Sequence, residues 1–289
     1  MQPSRGLTAD TIADAVPAGL AAELRERGAA VAVIRSWREG PRLYLFAEAA
    51  GGLVFARSSA DPADRAVLAH EAAVRALVGS DGPLSVPAIL AAGDDWLLEE
   101  ALAGSRWDGT TPVSELVRAA EQISELSLPP APPHEGGSLR LRRAALERRL
   151  RQLARPGLLA DARRARRILT GAELPEATSH GDFHPDNVFF GPGRVWVIDW
   201  ELSGRRSRGY DLMQFRANLA ATDERLELFE AAVAAIGEPH RAALARLGYA
   251  LLVRTIVDRL TSPFAFNRDP MGARALLATL PGERRAAGF

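Results

Sequence analysis

The residues able to do chemistry are concentrated in one short stretch of the 289-residue chain. It reads Ser179-His180-Gly181-Asp182-Phe183-His184-Pro185-Asp186-Asn187-Val188-Phe189-Phe190, and its sequel is Val195-Trp196-Val197-Ile198-Asp199-Trp200-Glu201. Asp182 and Asn187 stand five apart in a loop that precedes a strand, and Asp199 closes the next apolar run. Carboxylate and carboxamide oxygens are the hard donors that magnesium prefers, usually beside phosphate oxygens. A further carboxylate can orient an attacking hydroxyl and accept its proton. A two-strand hairpin would set Asn187 beside Asp199. The chemistry that fits is phosphoryl transfer from a nucleotide.

The elements that must carry these residues follow from periodicity and punctuation. Residues 9–27 have helical spacing (Ile12, Val16, Leu20, Leu24), interrupted by Pro17. Three β-rich runs, Val31–Trp37, Leu43–Glu48 and Leu53–Arg57, are separated by Arg38-Glu39-Gly40-Pro41 and Ala50-Gly51-Gly52 and predict an antiparallel meander. Asp61-Pro62 opens a helix to about Val78, with Ala66, Leu68, Ala72, Ala73 and Leu77 available for a buried face. Two further strands are predicted at Val86–Ala91 and Trp96–Glu99. After Gly104 helices dominate: one from Pro112 to about Leu128, one or two over 139–169, and the whole region from about Gly209. Short strands interrupt them at Val188–Phe190 and Val195–Trp200. Pro129-Pro130-Ala131-Pro132-Pro133 reads as a stiff loop. The order predicts an α+β fold, with a β-rich part at residues 1–100 and a larger helical part at 101–289.

Composition narrows the classes of function. Apolar residues make up 47% and charged residues 25%, as in an ordinary globular protein. The 36 basic and 36 acidic residues cancel, so composition gives no electrostatic case for nucleic acid or an anionic membrane. Cysteine is absent, which excludes disulfides and thiol catalysis and fits a cytoplasmic setting. His70, His134 and His240 are isolated, without zinc-ligand spacing. No apolar leader or spanning run is read, since Leu247–Leu260 carries Arg254, Asp258 and Arg259. All 36 basic residues are arginine, so any step that ordinarily uses lysine must use arginine or do without.

The spacing Asp-x4-Asn matches the catalytic loop of kinases. More closely, His180–Asn187 and Val197–Glu201 resemble the H-G-D-x-H-x-x-N and I-D-W-E motifs of the aminoglycoside phosphotransferase/choline kinase family. The resemblance covers nearly the whole chain. It implies a protein-kinase-like two-lobe fold: an N-terminal five-stranded antiparallel sheet with a helix binds nucleotide, and a larger helical C-terminal lobe carries catalysis and the acceptor. It implies ATP or GTP as donor and Mg2+ as cofactor. By position, Asp182 resembles the catalytic base, and Asn187 and Asp199 the metal ligands. Glu99 to Leu102, with Glu100 and Leu102 at its contacts, resembles the hinge whose backbone binds adenine. Asp211 resembles the structural aspartate that follows the metal loop. His184 either lines the phosphate site or ties down the loop.

One position departs from the family pattern. The third strand ordinarily offers a lysine to the α- and β-phosphates, paired with a helix glutamate. Here the strand reads Leu53-Val54-Phe55-Ala56-Arg57, with Glu71 as the partner on the next helix. Arginine binds phosphate bidentately and stays charged, but it is planar and bulkier than lysine. Either the site works with Arg57, or the chain is a nucleotide-binding pseudokinase. The turn Trp37–Arg42 that would cover the phosphates holds one glycine instead of a glycine-rich run.

Charge bears on the acceptor. Residues 202–289 hold 13 arginines and nine acids, whereas residues 1–100 hold nine and 14. A net-basic C-terminal region disfavours polycations such as aminoglycosides and favours a neutral or anionic hydroxyl compound, a small metabolite or antibiotic. A choline or sugar kinase of the same fold is the alternative. Trp200 and the pair Phe264/Phe266 read as core or as acceptor walls. The arginine-rich run 140–167 reads as a solvated helix face. The chain is expected to act as a monomer or homodimer, without nucleic-acid or membrane partners.

Overall fold

The computed structural model describes residues 16–27, 32–39, 42–49, 52–80, 82–102, 105–107, 112–130, 156–171, 173–191, 193–219, 223–261 and 270–289. In chain order the elements are α1 (Ala18–Glu26), β1 (Ala32–Glu39), β2 (Arg42–Ala49), β3 (Gly52–Ser59), α2 (Pro62–Val78), β4 (Leu84–Ser85), β5 (Ile89–Ala92), β6 (Trp96–Glu100) and β7 (Ser105–Arg106). There follow α3 (Val113–Glu125), α4 (Pro156–Leu169), β8 (Glu176–Ser179), β9 (Val188–Gly191), β10 (Arg194–Val197), β11 (Gly204–Ser207), α5 (Tyr210–Asn218), α6 (Asp223–Ile236), α7 (Arg241–Thr261) and α8 (Pro270–Ala286). Two compact units result, Met1–Ser105 with Gly191–Glu201, and Arg106–Phe190 with Leu202–Phe289. The predicted phosphate-covering turn, the Pro-rich loop beyond Pro130, His134, the run 139–155 and Phe264/Phe266 lie wholly or partly outside the described residues.

The first unit is built on a five-stranded sheet of order β1-β2-β3-β6-β5. Every pairing in it is antiparallel. Strand alternation sorts its side chains by face. Leu43, Leu45, Ala47, Val54, Ala56, Trp96 and Leu98 form one apolar cluster with Val16, Leu20 and Leu24 of the N-terminal segment. On the opposite face Tyr44 stands across from Arg57, Arg57 across from Leu97, and Phe55 across from Glu99. That placement makes Arg57 and Glu99 diagonal neighbours. The short β4 pairs in parallel with β10, bringing the segment that leads to Asp199 into this unit.

Helix α2 corrects one expectation. Its buried residues are Val67, Leu68, His70, Glu71, Val74 and Arg75, whereas Leu77 is 57% exposed. The i, i+3, i+4, i+7 spacing holds, but the stripe is rotated so that two charged side chains, Glu71 and Arg75, lie inside. Helix α1 begins directly after Pro17, the residue at which a break is expected, as suits a residue without an N–H; residues 9–15 lie outside the described residues. The strand expected over Val195–Trp200 ends at Val197, and Trp200 to Leu202 form a 3-10 turn.

The second unit is helical around α7, whose Leu244, Tyr249, Leu251, Leu252 and Ile256 are fully buried. α7 packs against α4, α5 and α8. On α4, Arg163, Arg166 and Arg167 are exposed and form a solvated face, whereas Arg164 is half-buried over the Phe289 ring. A two-stranded ribbon of β8 and β11, with Ser179 opposite Gly204, delivers the chain to His180. Among the described residues no helix is long and apolar enough to cross a membrane.

Candidate functional site

In the second unit the loop after β8 is held from beneath by one carboxylate. Asp211, in the first turn of α5, accepts from the Ser179 hydroxyl at 2.7 Å and the Gly181 N–H at 3.1 Å through Oδ1, and from the His180 N–H at 2.9 Å through Oδ2. Three donors on one buried carboxylate fix the backbone that presents Asp182, because charge-assisted hydrogen bonds are the strong ones. Gly181 is required twice over. Its φ is +84°, and a Cβ built there would stand 2.3 Å from the Leu202 carbonyl oxygen and 2.6 Å from the Arg206 guanidinium carbon. The fully buried Phe183 anchors the loop from the other side, its ring 5.7 Å from that of Phe215.

Asp182, His184 and Asn187 converge on this loop. The Asn187 side-chain amide donates to the Asp182 carbonyl at 3.0 Å and to its Oδ2 at 3.4 Å. That use of Nδ2 leaves the Asn187 Oδ1 outside these two bonds. The His184 ring holds Nε2 3.4 Å from Asp182 Oδ2, while its Nδ1 accepts the Asp186 N–H at 3.2 Å. In the neutral ring an accepting Nδ1 places the proton on Nε2, so Nε2 is the nitrogen that faces Asp182. Burial pushes the Asp182 carboxyl up, but the hydrogen bond and charge of His184, with His180 and Arg254, outweigh it and hold the group below its ordinary value. Burial pulls His184 down, and Asp182 with Asp186 more than offset this, so His184 is raised. Arg254 of α7 donates to the Tyr210 hydroxyl at 2.5 Å and pairs with Asp258 at 3.6 Å.

In the first unit Arg57, Glu71 and Asp199 converge. Arg57 Nη2 donates to Glu71 Oε1 at 2.5 Å, and its Nη1 lies 3.7 Å from Asp199 Oδ1. Burial pulls the Arg57 guanidinium down, but the charges of Glu71, Glu99 and Asp199 hold it well above an ordinary arginine. Asp199 has φ +66°, the one non-glycine with positive φ among the described residues. Such a conformation costs about 1–2 kcal/mol for an L-residue. The buried Trp200 secures the turn, its Nε1 donating to the Val197 carbonyl at 2.8 Å, so Trp200 is core.

Sequence reasoning missed a second arginine nearby. Arg42 forks onto Asp64 at 3.2 and 3.0 Å and reaches Glu201 at 2.7 Å. A shallow cavity is lined by Arg42, Arg57, Ser58, Ser59, Asp64 and Glu201. The glutamate of the I-D-W-E run was the available signal, but its partner lies 159 residues earlier. Over residues 99–102, the Glu100 N–H donates to the Ala88 carbonyl at 3.0 Å and the Ala101 N–H to the Leu53 carbonyl at 3.0 Å.

The donors present suit the groups that the fold implies. Asn187 Oδ1 and the Asp199 carboxylate are hard oxygens of the kind magnesium takes. The Arg57 Nε is buried without a hydrogen-bond partner.

Comparison with solved structures finds phosphotransferases and a choline kinase of similar fold. The apoenzyme of macrolide 2'-phosphotransferase MphH from Brachybacterium faecium superposes with a TM-score of 0.53 at 18% identity, over 89% of this chain and 96% of that one. A thermostable mutant of aminoglycoside phosphotransferase APH(4)-Ia, bound to ADP and hygromycin B, gives 0.56 at 15% identity, over 93% and 98%. Choline kinase from Cryptosporidium parvum Iowa II gives 0.59 at 11% identity, over 88% and 89%. At these identities the likeness establishes the α+β, protein-kinase-like fold. No curated protein matches the sequence. The sequence pattern of one family does match it, over residues 30–247. The chain therefore belongs to the phosphotransferase enzyme family, as a kinase-type phosphotransferase with a hydroxyl acceptor.

Proposed function

We propose that the protein transfers the γ-phosphoryl group of ATP or GTP to a hydroxyl of a neutral or anionic small molecule, a metabolite or an antibiotic. The observation that carries this reading is the Asp182 carboxylate, held ionised by His184 on a loop pinned by Asp211. Asp182 would orient the acceptor hydroxyl and take its proton as the acceptor oxygen bonds to the γ-phosphorus and the bond to the β-phosphate oxygen breaks. Asn187 and Asp199 would hold magnesium, which when bound neutralises charge on the phosphates. Arg57, set by Glu71, would hold the α- and β-phosphates, and His184 would keep Asp182 charged. The Glu100 carbonyl and the Leu102 N–H would take the base. Most of the work is positioning and charge neutralisation, which these residues suit. The Arg254 charge acting on Asp182, and the net-basic stretch 202–289, support an acceptor without multiple positive charges.

The test is calorimetric titration with Mg-ATP and Mg-GTP, followed by phosphate release with a library of hydroxyl compounds. Nucleotide binding with acceptor-stimulated release, lost in Asp182→Ala, is the expected result. Full turnover in Asp182→Ala would overturn the assignment. The second reading, a pseudokinase, is favoured by arginine at position 57; nucleotide binding without transfer to any acceptor would establish it.

A further inference from the structure

Five charged side chains of the first unit form a single line. Asp199 lies 3.7 Å from Arg57, and Arg57 is bonded to Glu71 at 2.5 Å. Glu71 lies 3.8 Å from Arg75, and Arg75 is bonded to Glu99. Arg75 uses its other Nη on the Pro87 carbonyl. The middle of the line is nearly dry: the side chains of Glu71, Arg75 and Glu99 are 1%, 3% and 9% exposed, and that of Arg57 is 12%. Buried ions persist only when their neighbours balance them.

The arithmetic of the line is uneven. It holds three carboxylates and two guanidiniums. Arg57 sits next to all three acids, because Glu99 is its diagonal neighbour across β3 and β6. Were Arg57 the single cation, its charge would be spent on protein carboxylates, and the local field would repel an anion. Arg75 changes this by neutralising Glu99 and sharing Glu71. It stands one helical turn beyond Glu71, the spacing at which side chains meet on a helix. It is also one of the two charged residues, with Glu71, on the buried stripe of α2.

We propose that Arg75 is a positioning residue that sets how much positive charge Arg57 presents to a polyphosphate, by cancelling Glu99 and part of Glu71. The proposal rests on the reading of Arg57 as the phosphate contact. It explains how arginine serves where the family uses lysine: the two-pronged fork of Arg57 reaches both Glu71 and Asp199, and a second arginine behind it offsets the surplus acid. Coupling of this kind acts over several ångströms in a low-dielectric interior.

The test titrates sodium tripolyphosphate with Mg2+, and in parallel Mg-ATP and Mg-GTP, into the full chain and three variants, with thermal unfolding recorded for each. Glu99→Gln removes one negative charge while leaving Arg75 its Glu71 and Pro87 partners, so tripolyphosphate should bind roughly three- to tenfold more tightly. Arg75→Gln should bind it roughly tenfold more weakly, and Arg75→Gln with Glu99→Gln should return to near wild-type affinity. A role confined to packing predicts loss in every variant. Because Arg75→Gln leaves a buried carboxylate without its cation and can unfold, Glu99→Gln carries the decision: unchanged or weaker binding overturns the proposal. If wild type takes up tripolyphosphate but neither nucleotide, the nucleotide reading fails while tighter binding by Glu99→Gln still supports the charge relation. A wild type that binds no polyphosphate overturns both.

Discussion

Arg57 holds Glu71 with one prong of its guanidinium, at 2.5 Å, and points the other at Asp199, 3.7 Å away. A lysine has one ammonium and no fork, so it could not span both carboxylates in this way. Arg57→Lys should therefore weaken nucleotide binding by about tenfold, measured by calorimetry with Mg-ATP and Mg-GTP. A clear gain in affinity would instead mean that arginine impairs the site.

Asp182 is expected to matter to the chemical step alone. Asp182→Asn should lower turnover by about 10²–10⁴-fold while Mg-nucleotide affinity stays as in the wild type. Steady-state kinetics with a separate binding titration separates the two. An equal loss in both would assign Asp182 to nucleotide binding.

The pH profile should report His184. Its charge and hydrogen bond hold the Asp182 carboxyl down against burial, so the base stays ionised below the ordinary carboxylate range. Stability and activity that depend on ionised Asp182 are present above the unfolded carboxylate pKa and are lost as pH falls through the depressed folded value. His184→Asn removes the support, so the acid limb of the turnover profile should move to higher pH. An unmoved limb would assign His184 to loop structure only.

Gly181 has no room for a side chain. Gly181→Ala forces a methyl group onto the Leu202 carbonyl and Arg206 and puts an L-residue at φ +84°. The backbone conformation alone costs about 1–2 kcal/mol. Thermal unfolding should show that loss or more, and turnover should fall further than nucleotide affinity, because the displaced loop carries Asp182. Wild-type stability would contradict the tight packing at this loop.

Legibility in the sequence followed distance along the chain. Asp182, His184 and Asn187 were readable because they lie within six residues and their spacing is itself the signal. The sheet was readable because its strands alternate and its turns carry glycine. Arg75 was not, because a charged residue on a helix reads as solvated until its partners, Glu99 and the Pro87 carbonyl, are seen. Arg42 was hidden for the same reason, its partners Asp64 and Glu201 being 22 and 159 residues away. The four-residue ribbon strands at 176–179 and 204–207 are too short for their periodicity to register.

The left-handed backbone at Asp199 has an evolutionary corollary. Glycine there would relax the turn, since glycine adopts φ +66° without steric penalty, at the cost of the 3.7 Å ion pair from the half-exposed Asp199 to Arg57. Asp199→Gly should thus stabilise the fold by up to about 1 kcal/mol in chemical denaturation, while abolishing magnesium-dependent nucleotide binding. A lineage released from selection for phosphoryl transfer would have a downhill path at this one codon. A copy that had lost phosphoryl transfer would therefore be expected to show glycine at position 199.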